Sequence, residues 1–262
     1  MFTLSAAKSV APSATGRPPM AEPLTLKSDT LEKLKGVSTA TITMQLIKQA
    51  GLRSRSPLGV RPLNPARCRF VAEAATLRYA PMREDLDARA STVHQENPTR
   101  LAVETTPPGH VLMIDQAGSL GGGALGDILV ARLIRRGVAA VVSDGAMRDS
   151  GPLMAMTMPI FSRGLTPPPS SAAILAVGFQ EPIGCGGTLV YPGDVVVGDE
   201  DGVVVIPRHL ADQVASAGLE QEQIEVFIKQ RVEQGEPIDG FYPATDRTKA
   251  AYAAWKAEQG RS

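Results

Sequence analysis

The stretch 110-HVLMIDQAGSLGGGALGDILVARLIRRGVAAVVSD-144 decides how the rest of the chain is read. "HVLMID" (His110 to Asp115) is an apolar run of strand length, and "DILVARLIRR" (Asp127 to Arg136) places its apolar residues at helical spacing. After Gly137, "VAAVVSD" (Val138 to Asp144) is a second apolar run. Strand, glycine-rich turn, helix and strand in that order predict a βαβ unit with parallel strands. Within the turn, Gly121, Gly123 and Gly126 satisfy G-x-G-x-x-G. A dinucleotide turn, however, needs its first glycine directly after the strand, and here Gln116 to Leu120 intervene. A phosphate loop needs a lysine after its last glycine, where this chain has Asp127. What the turn does offer is the opening of a helix, whose free N–H groups and dipole suit a small carboxylate.

The next loop points the same way. "SDGAMRDS" (Ser143 to Ser150) sets Arg148 and Asp149 side by side after the second parallel strand. Loops at the carboxyl ends of neighbouring parallel strands face one crevice, so Asp127, Arg148 and Asp149 are predicted to converge.

Composition bounds the partners. The 262 residues are 43% hydrophobic and 21% charged, enough for a full-sized core in one domain with appendages. Lys plus Arg equals Asp plus Glu at 27 each, so no global field favours nucleic acid or an anionic membrane, and neither is expected as a partner. No apolar run approaches the ~20 residues of a membrane span. Cys68 and Cys185 have no metal-like spacing and are expected to be small buried residues, in keeping with a cytoplasmic protein.

Along the chain, residues 1–26 are rich in Ala, Ser and Pro and read as a flexible extension, with Met20 an alternative start. "SDTLEKLKGVSTATITMQLIKQAG" predicts one or two short helices ending at Gly51. "ARCRFVAEAATLRYAP" suggests strands, and "MREDLDARASTVHQENPTR" a polar helix or exposed loop. "MPIFSRG" and "TLVYPGDVVVGDEDGVVVIP" read as short β segments, and residues 210–235 as a long amphipathic helix.

Taken together, "PPGHVLMIDQAG", "GGALGDILVARLIRRGVAAVVSDGAMRD", "PIFSRG" and "YPGDVVVGDEDGVVVIP" resemble the RraA-like family, which includes 4-hydroxy-4-methyl-2-oxoglutarate aldolases and the ribonuclease regulator RraA. "GVRPLNP" and "STATI" fit its N-terminal part, and the likeness covers about residues 28 to 210. The resemblance implies an α/β fold, an RraA-like swivelling β/β/α domain over residues 27–209, followed by a C-terminal helical arm over 210–262. It implies a homotrimer or a hexamer built as a dimer of trimers, with sites between subunits. In the aldolase branch, backbone groups at Gly126, Asp127, Ile128 and Leu129 would hold the carboxylate of a 2-oxo acid. Arg148 would bind the substrate, Asp149 the metal, and Asp127 a catalytic water shared with a glutamate of a neighbouring subunit, for which Glu222 and Glu225 are both candidates.

The chemistry of the residues narrows the type of aldolase. Breaking a carbon–carbon bond beside a 2-oxo acid leaves an enolate, which needs a lysine Schiff base or a metal. No lysine occurs between Lys48 and Lys229, and His94, His110 and His209 lack zinc-ligand spacing. Mg²⁺ or Mn²⁺ on Asp149, with water and substrate oxygens, fits that donor set. Arg148 would stabilise enolate charge. Three functions remain open: a metal-dependent lyase acting on 2-oxo acids by retro-aldol cleavage or oxaloacetate decarboxylation, a non-catalytic regulator binding an RNA-processing enzyme, and a sugar-acid lyase or hydrolase using the same site. Substrate specificity is expected from Phe161, Arg163 and the Pro167–Pro168–Pro169 loop.

Overall fold

The computed structural model describes residue 27 and residues 29–86 and 97–259. The expectations for residues 1–26, Met20 and His94 lie outside the described residues. Two helices open the described chain, α1 (Thr30–Lys35) and α2 (Thr39–Ala50). Ser38 caps α2 by accepting the Thr41 N–H, and Gly51 ends it at φ 67°, a left-handed conformation that costs glycine little.

The strands are β1 (Arg61–Pro62), β2 (Phe70–Pro81), β3 (His110–Asp115), β4 (Ala140–Ser143), β5 (Ala146–Met147), β6 (Ile160–Ser162), β7 (Gly164–Leu165), β8 (Ile174–Phe179), β9 (Val195–Asp199) and β10 (Gly202–Ile206). Helix α3 (Pro98–Thr105) precedes β3, α4 (Asp127–Arg135) joins β3 to β4, and α5 (Ser150–Ala155) follows β5. The predicted βαβ unit is therefore present, with β3 and β4 parallel. "ARCRFVAEAATLRYAP" differs from the expectation of several strands: it forms a 3₁₀ turn at Pro65–Arg67 and then the single strand β2. β2 is long because it serves three neighbours, pairing parallel with β3, and antiparallel with β9 along its first half and with β8 along its second.

The main sheet runs β1-β6-β4-β3-β2-β9-β10, with β8 also on β2. Its ends approach each other: the Val205 N–H donates to Arg55 O at 2.8 Å and Arg61 Nη1 to Asp201 O at 3.0 Å, so the sheet nearly closes into a barrel. Both faces are buried, which is why β3 is apolar at successive positions instead of alternating. Val111 and Met113 face the barrel interior with Phe161, Val142 and Val205, while Leu112 and Ile114 pack against Val103 of α3 and Val130 and Leu133 of α4.

Helix α6 (Ala211–Glu233) starts inside the body, where Ala211, Val214 and Ala215 join Ile42, Leu46, Val204 and Ile206 in one core. Farther along, Ile224, Phe227 and Ile228 leave that core and build a small one with Phe241 and with Tyr252 and Trp255 of α7 (Asp246–Gln259). The C-terminal helices thus form an arm with its own aromatic centre. Cys68 and Cys185 are free and buried as expected, and no helix among the described residues is long and apolar enough to cross a membrane.

Candidate functional site

The glycine-rich turn is built for close packing of two loops. Gly123 donates its N–H to Pro168 O at 3.0 Å and bridges both Ala146 and Pro169. A Cβ on Gly123 would stand 2.9 Å from Arg148 Cβ, and one on Gly126 would overlap Asp149 Oδ2. The Arg148 N–H donates to Leu125 O at 3.1 Å, fixing the second loop to the first. These glycines are small because Arg148 and Asp149 lie directly against them. Asp144, the acid that a dinucleotide site would have used, is 3% exposed and accepts the N–H groups of Gln116 at 2.6 Å and Gly186 at 3.0 Å. Burial pushes its pKa up, partly offset by those amides.

Asp127, Arg148 and Asp149 do converge. Asp149 sits at φ 60°, ψ 48°, an orientation that turns its carboxylate back toward the glycine loop. It lies 3.3 Å from Arg148 Nε and accepts a long hydrogen bond, 3.4 Å, from the Asp127 N–H. Gly126 is the N-cap of α4, and the first helical bond, from the Val130 N–H to Gly126 O at 3.1 Å, leaves the amides of Asp127, Ile128 and Leu129 without intrahelical partners. The Ile128 N–H turns to the Asp127 carboxylate at 2.7 Å. All six residues, Gly126 to Leu129 with Arg148 and Asp149, border a cleft of about 650 Å³. The donors there are oxygen and nitrogen of Asp, Arg and backbone; no cluster of three His, Cys, Asp or Glu side chains forms a metal cage among the described residues.

The opposite wall of the cleft was not foreseen. Thr99 and Arg100 from the first turn of α3, with Pro169 and Ser170, complete the lining. The Thr99 hydroxyl is held at 2.8 Å by the hydroxyl of Tyr79, whose pKa burial pushes up to about 12, so the phenol stays neutral and the turn stays fixed. The signal was the Asn97-Pro98 start of a helix before a parallel strand, which places that helix end at the same edge of the sheet.

Two expectations about specificity are corrected. Phe161 is fully buried in the barrel, edge-on to Phe70 at 5.7 Å between centroids, and cannot meet a ligand in the cleft. Arg163 borders a different depression, with Gly59, Gly118 and Asp144. Of the three prolines, Pro169 lines the cleft.

Glu222 and Glu225 lie on α6 and are not among the residues of the cleft in their own chain. Glu222 Oε1 accepts from the Ser38 N–H at 2.9 Å and the Ser38 hydroxyl at 2.7 Å, tying α6 to the start of α2. Glu225 accepts from Gln221 Nε2 at 2.7 Å. Burial pulls the Glu222 pKa up, but the bonds from Ser38 outweigh it and the pKa is lowered. A lowered carboxylate pKa stabilises the fold above the unfolded value and loses that effect as pH falls through the folded one. Glu222→Ala is therefore expected to cost about 1 kcal/mol at neutral pH, with the loss fading in acid below the ordinary glutamate range. Thermal melts of parent and variant at the two pH values check this, and an equal loss at both would contradict it.

The fold and cleft define an α/β protein with a nearly closed sheet and an arginine–aspartate pair under a helix N-terminus. The family model described as Aldolase/RraA, of the RraA-like family, matches residues 34–205. A protein of Deinococcus radiodurans provisionally named 4-hydroxy-4-methyl-2-oxoglutarate aldolase is 32% identical over 142 residues, 53% of this chain and 79% of that one. A protein of Halalkalibacterium halodurans with the same provisional name is 38% identical over 113 residues, 43% of this chain, and the match spans about half (53%) of its length. Among solved structures, Streptomyces coelicolor RraAS2, described as an unusual member of the RNase ES inhibitor RraA protein family, superposes with TM-score 0.70 at 32% identity, covering 78% of this chain and 98% of that one. An uncharacterized protein of Pseudomonas syringae shares the fold at TM-score 0.70 and 24% identity, covering 82% and 96%. The chain belongs to the RraA-like family.

Proposed function

We propose that the protein is a divalent-metal-dependent lyase that cleaves 2-oxo acids, by retro-aldol reaction of a 4-hydroxy-2-oxo acid or by decarboxylation of oxaloacetate, through a pyruvate enolate. The observation that carries this reading is the placement of the Arg148–Asp149 pair, 3.3 Å apart, against the amides that open α4. The aldolase names of two relatives support it.

Each group has a task that follows from its chemistry. The amides of Asp127, Ile128 and Leu129, without intrahelical partners at the positive end of α4, bind the carboxylate, the first two amides being shared with the side chains of Asp149 and Asp127. The Asp149 carboxylate, given room by Gly126, is a single hard-oxygen anchor of the kind Mg²⁺ or Mn²⁺ accepts while keeping several waters. A divalent cation held by Asp149 would, when bound, supply Lewis acidity for charge on the 2-oxo oxygen. Arg148 adds a permanent cation beside that oxygen. Among the described residues no lysine lines the cleft, so the side chains there offer no Schiff base. Asp127, with one carboxylate oxygen on the Ile128 N–H, holds with the other a water that returns a proton to the enolate carbon. Glu225 of a neighbouring copy is the better candidate for the second hold on that water, because Glu222 is engaged by Ser38 of its own chain. The active assembly is then a homotrimer or hexamer.

Incubation with 2-oxo acids and their aldol adducts, with pyruvate release followed by a coupled assay, tests the proposal. Turnover is expected with added Mg²⁺ or Mn²⁺ and is expected to vanish with EDTA. Release of pyruvate that is indifferent to EDTA would remove the metal from the proposal. The likeness to RraAS2 favours one second reading, a regulator that binds an RNA-processing enzyme. Absence of turnover on all substrates together with binding to an RNA-degrading enzyme would select it.

A further inference from the structure

We propose that Tyr79 is a positioning residue for the reaction, its buried hydroxyl holding the first turn of α3 and the glycine-rich turn at the spacing that the carboxylate-binding amides of α4 require; this rests on the 2-oxo acid reading above. β2 outruns its parallel neighbour. Its pairing with β3 ends at Arg78 opposite Asp115, whereas β2 continues to Pro81. Its ladder with β8 shifts register at the same point: Arg78 stands opposite Gly178 and Tyr79 opposite Ala176, so Val177 is an extra residue. A bulge re-aims the side chains beside it. Tyr79 is thus the first residue of β2 past the carboxyl end of β3, the edge on which the cleft opens.

Tyr79 is buried in the same core as Val103 of α3 and Ala124 and Leu125 of the turn. A buried phenol needs a partner for its hydroxyl. Here it has two, the Thr99 hydroxyl at 2.8 Å and Ala124 O at 3.4 Å. Thr99 from α3 and Ala124 from the turn both line the cleft, and Tyr79 stands behind them, outside its lining. Ala124 is two residues from Gly126, the N-cap of α4. The turn is also tied sideways: the Ala124 N–H donates to Ala146 O at 3.0 Å, and the Arg148 N–H to Leu125 O at 3.1 Å. A shift of the turn at Ala124 therefore carries with it both the α4 amides and the loop of Arg148 and Asp149. Displacements on the order of 1 Å at such groups are felt in turnover. Tyr79 acts through the two residues that it bridges.

Tyr79→Phe removes one oxygen and keeps the ring. Alone it strands the Thr99 hydroxyl, whereas Tyr79→Phe with Thr99→Val removes the polar pair together, a change that is nearly neutral for stability. Melting temperature, kcat/KM for pyruvate release, and pyruvate affinity by calorimetry in Mg²⁺-containing buffer are compared for the parent, both single variants and the double. Tyr79→Phe is expected to lower kcat/KM and pyruvate affinity about tenfold each, the worth of one neutral hydrogen bond. The double variant is expected to regain the parent's melting temperature and to keep those losses without multiplying them. Parental affinity and turnover in Tyr79→Phe, or their return in the double variant along with the melting temperature, reduces Tyr79 to packing and overturns the proposal. Losses that multiply in the double variant overturn it as well, because the two hydroxyls then act separately. A parent that binds pyruvate, with the expected pattern among the variants, yet releases none from any 2-oxo acid refutes the lyase and leaves Tyr79 standing. A parent that neither binds nor releases pyruvate overturns both.

Discussion

Asp149→Asn is expected to lower metal-dependent lyase turnover by a factor on the order of 10³, and to weaken Mg²⁺ binding, while leaving the melting temperature nearly unchanged. The substitution removes one negative charge and keeps the shape. It also keeps the backbone, because Asp149 occupies the left-handed region at φ 60°, where Asn is among the few side chains that remain comfortable. Ala at this position would add backbone strain to the loss of charge and confuse the two effects. The carboxylate is about one-third exposed (32%) and makes only long contacts, to Arg148 at 3.3 Å and to the Asp127 amide at 3.4 Å, so little stability depends on it. Steady-state pyruvate release across a Mg²⁺ titration, with Mg²⁺ affinity measured by calorimetry, reads both effects. Parent-like turnover at limiting Mg²⁺ would sink the assignment of Asp149 as the anchor.

Gly126→Ala is expected to reduce turnover about 10²-fold without replacing any functional side chain. Gly126 has φ −117° and ψ −172°, ordinary extended backbone, so alanine is not strained there. The added methyl would overlap Asp149 Oδ2 and stand 3.2 Å from Arg148 Cγ, displacing the two groups together. A displacement of about 1 Å is enough for such a loss when chemistry depends on positioning. The expected signature is a fall in kcat with a folded, assembled protein, seen by circular dichroism and light scattering. Unimpaired kcat in this variant would mean that Asp149 and Arg148 need not stand where they do.

Much of this site was legible in the chain. Helix α4 opens at Asp127, as the apolar spacing from Ile128 onward predicts, and Arg148 and Asp149 follow a strand parallel to the one before the glycine turn. Parallel neighbours connected by one helix leave no other place for those loops than a common edge. Arg100 was not legible because the segment before it carries polar residues without a clear period, so α3 was not recognised as a second crossover. Phe161 and Arg163 flank Ser162, and the sequence offers both as specificity residues without showing where either side chain goes. Their separation into the barrel core and a different depression depends on the β6 pairing with β4 and β1.

The sequence by itself determined the βαβ unit, the family and the meeting of Asp127, Arg148 and Asp149, because apolar periodicity sets local structure and short connections leave a parallel crossover few alternatives. Only the tertiary structure decided what the glycines are for, that Asp144 is spent on loop amides, that Glu222 is tied to Ser38, and that Arg100 stands on the far wall. Each of these is a contact between residues distant in the chain. Such contacts are chosen by how close-packed surfaces fit together, and that fit leaves no period in the sequence to read.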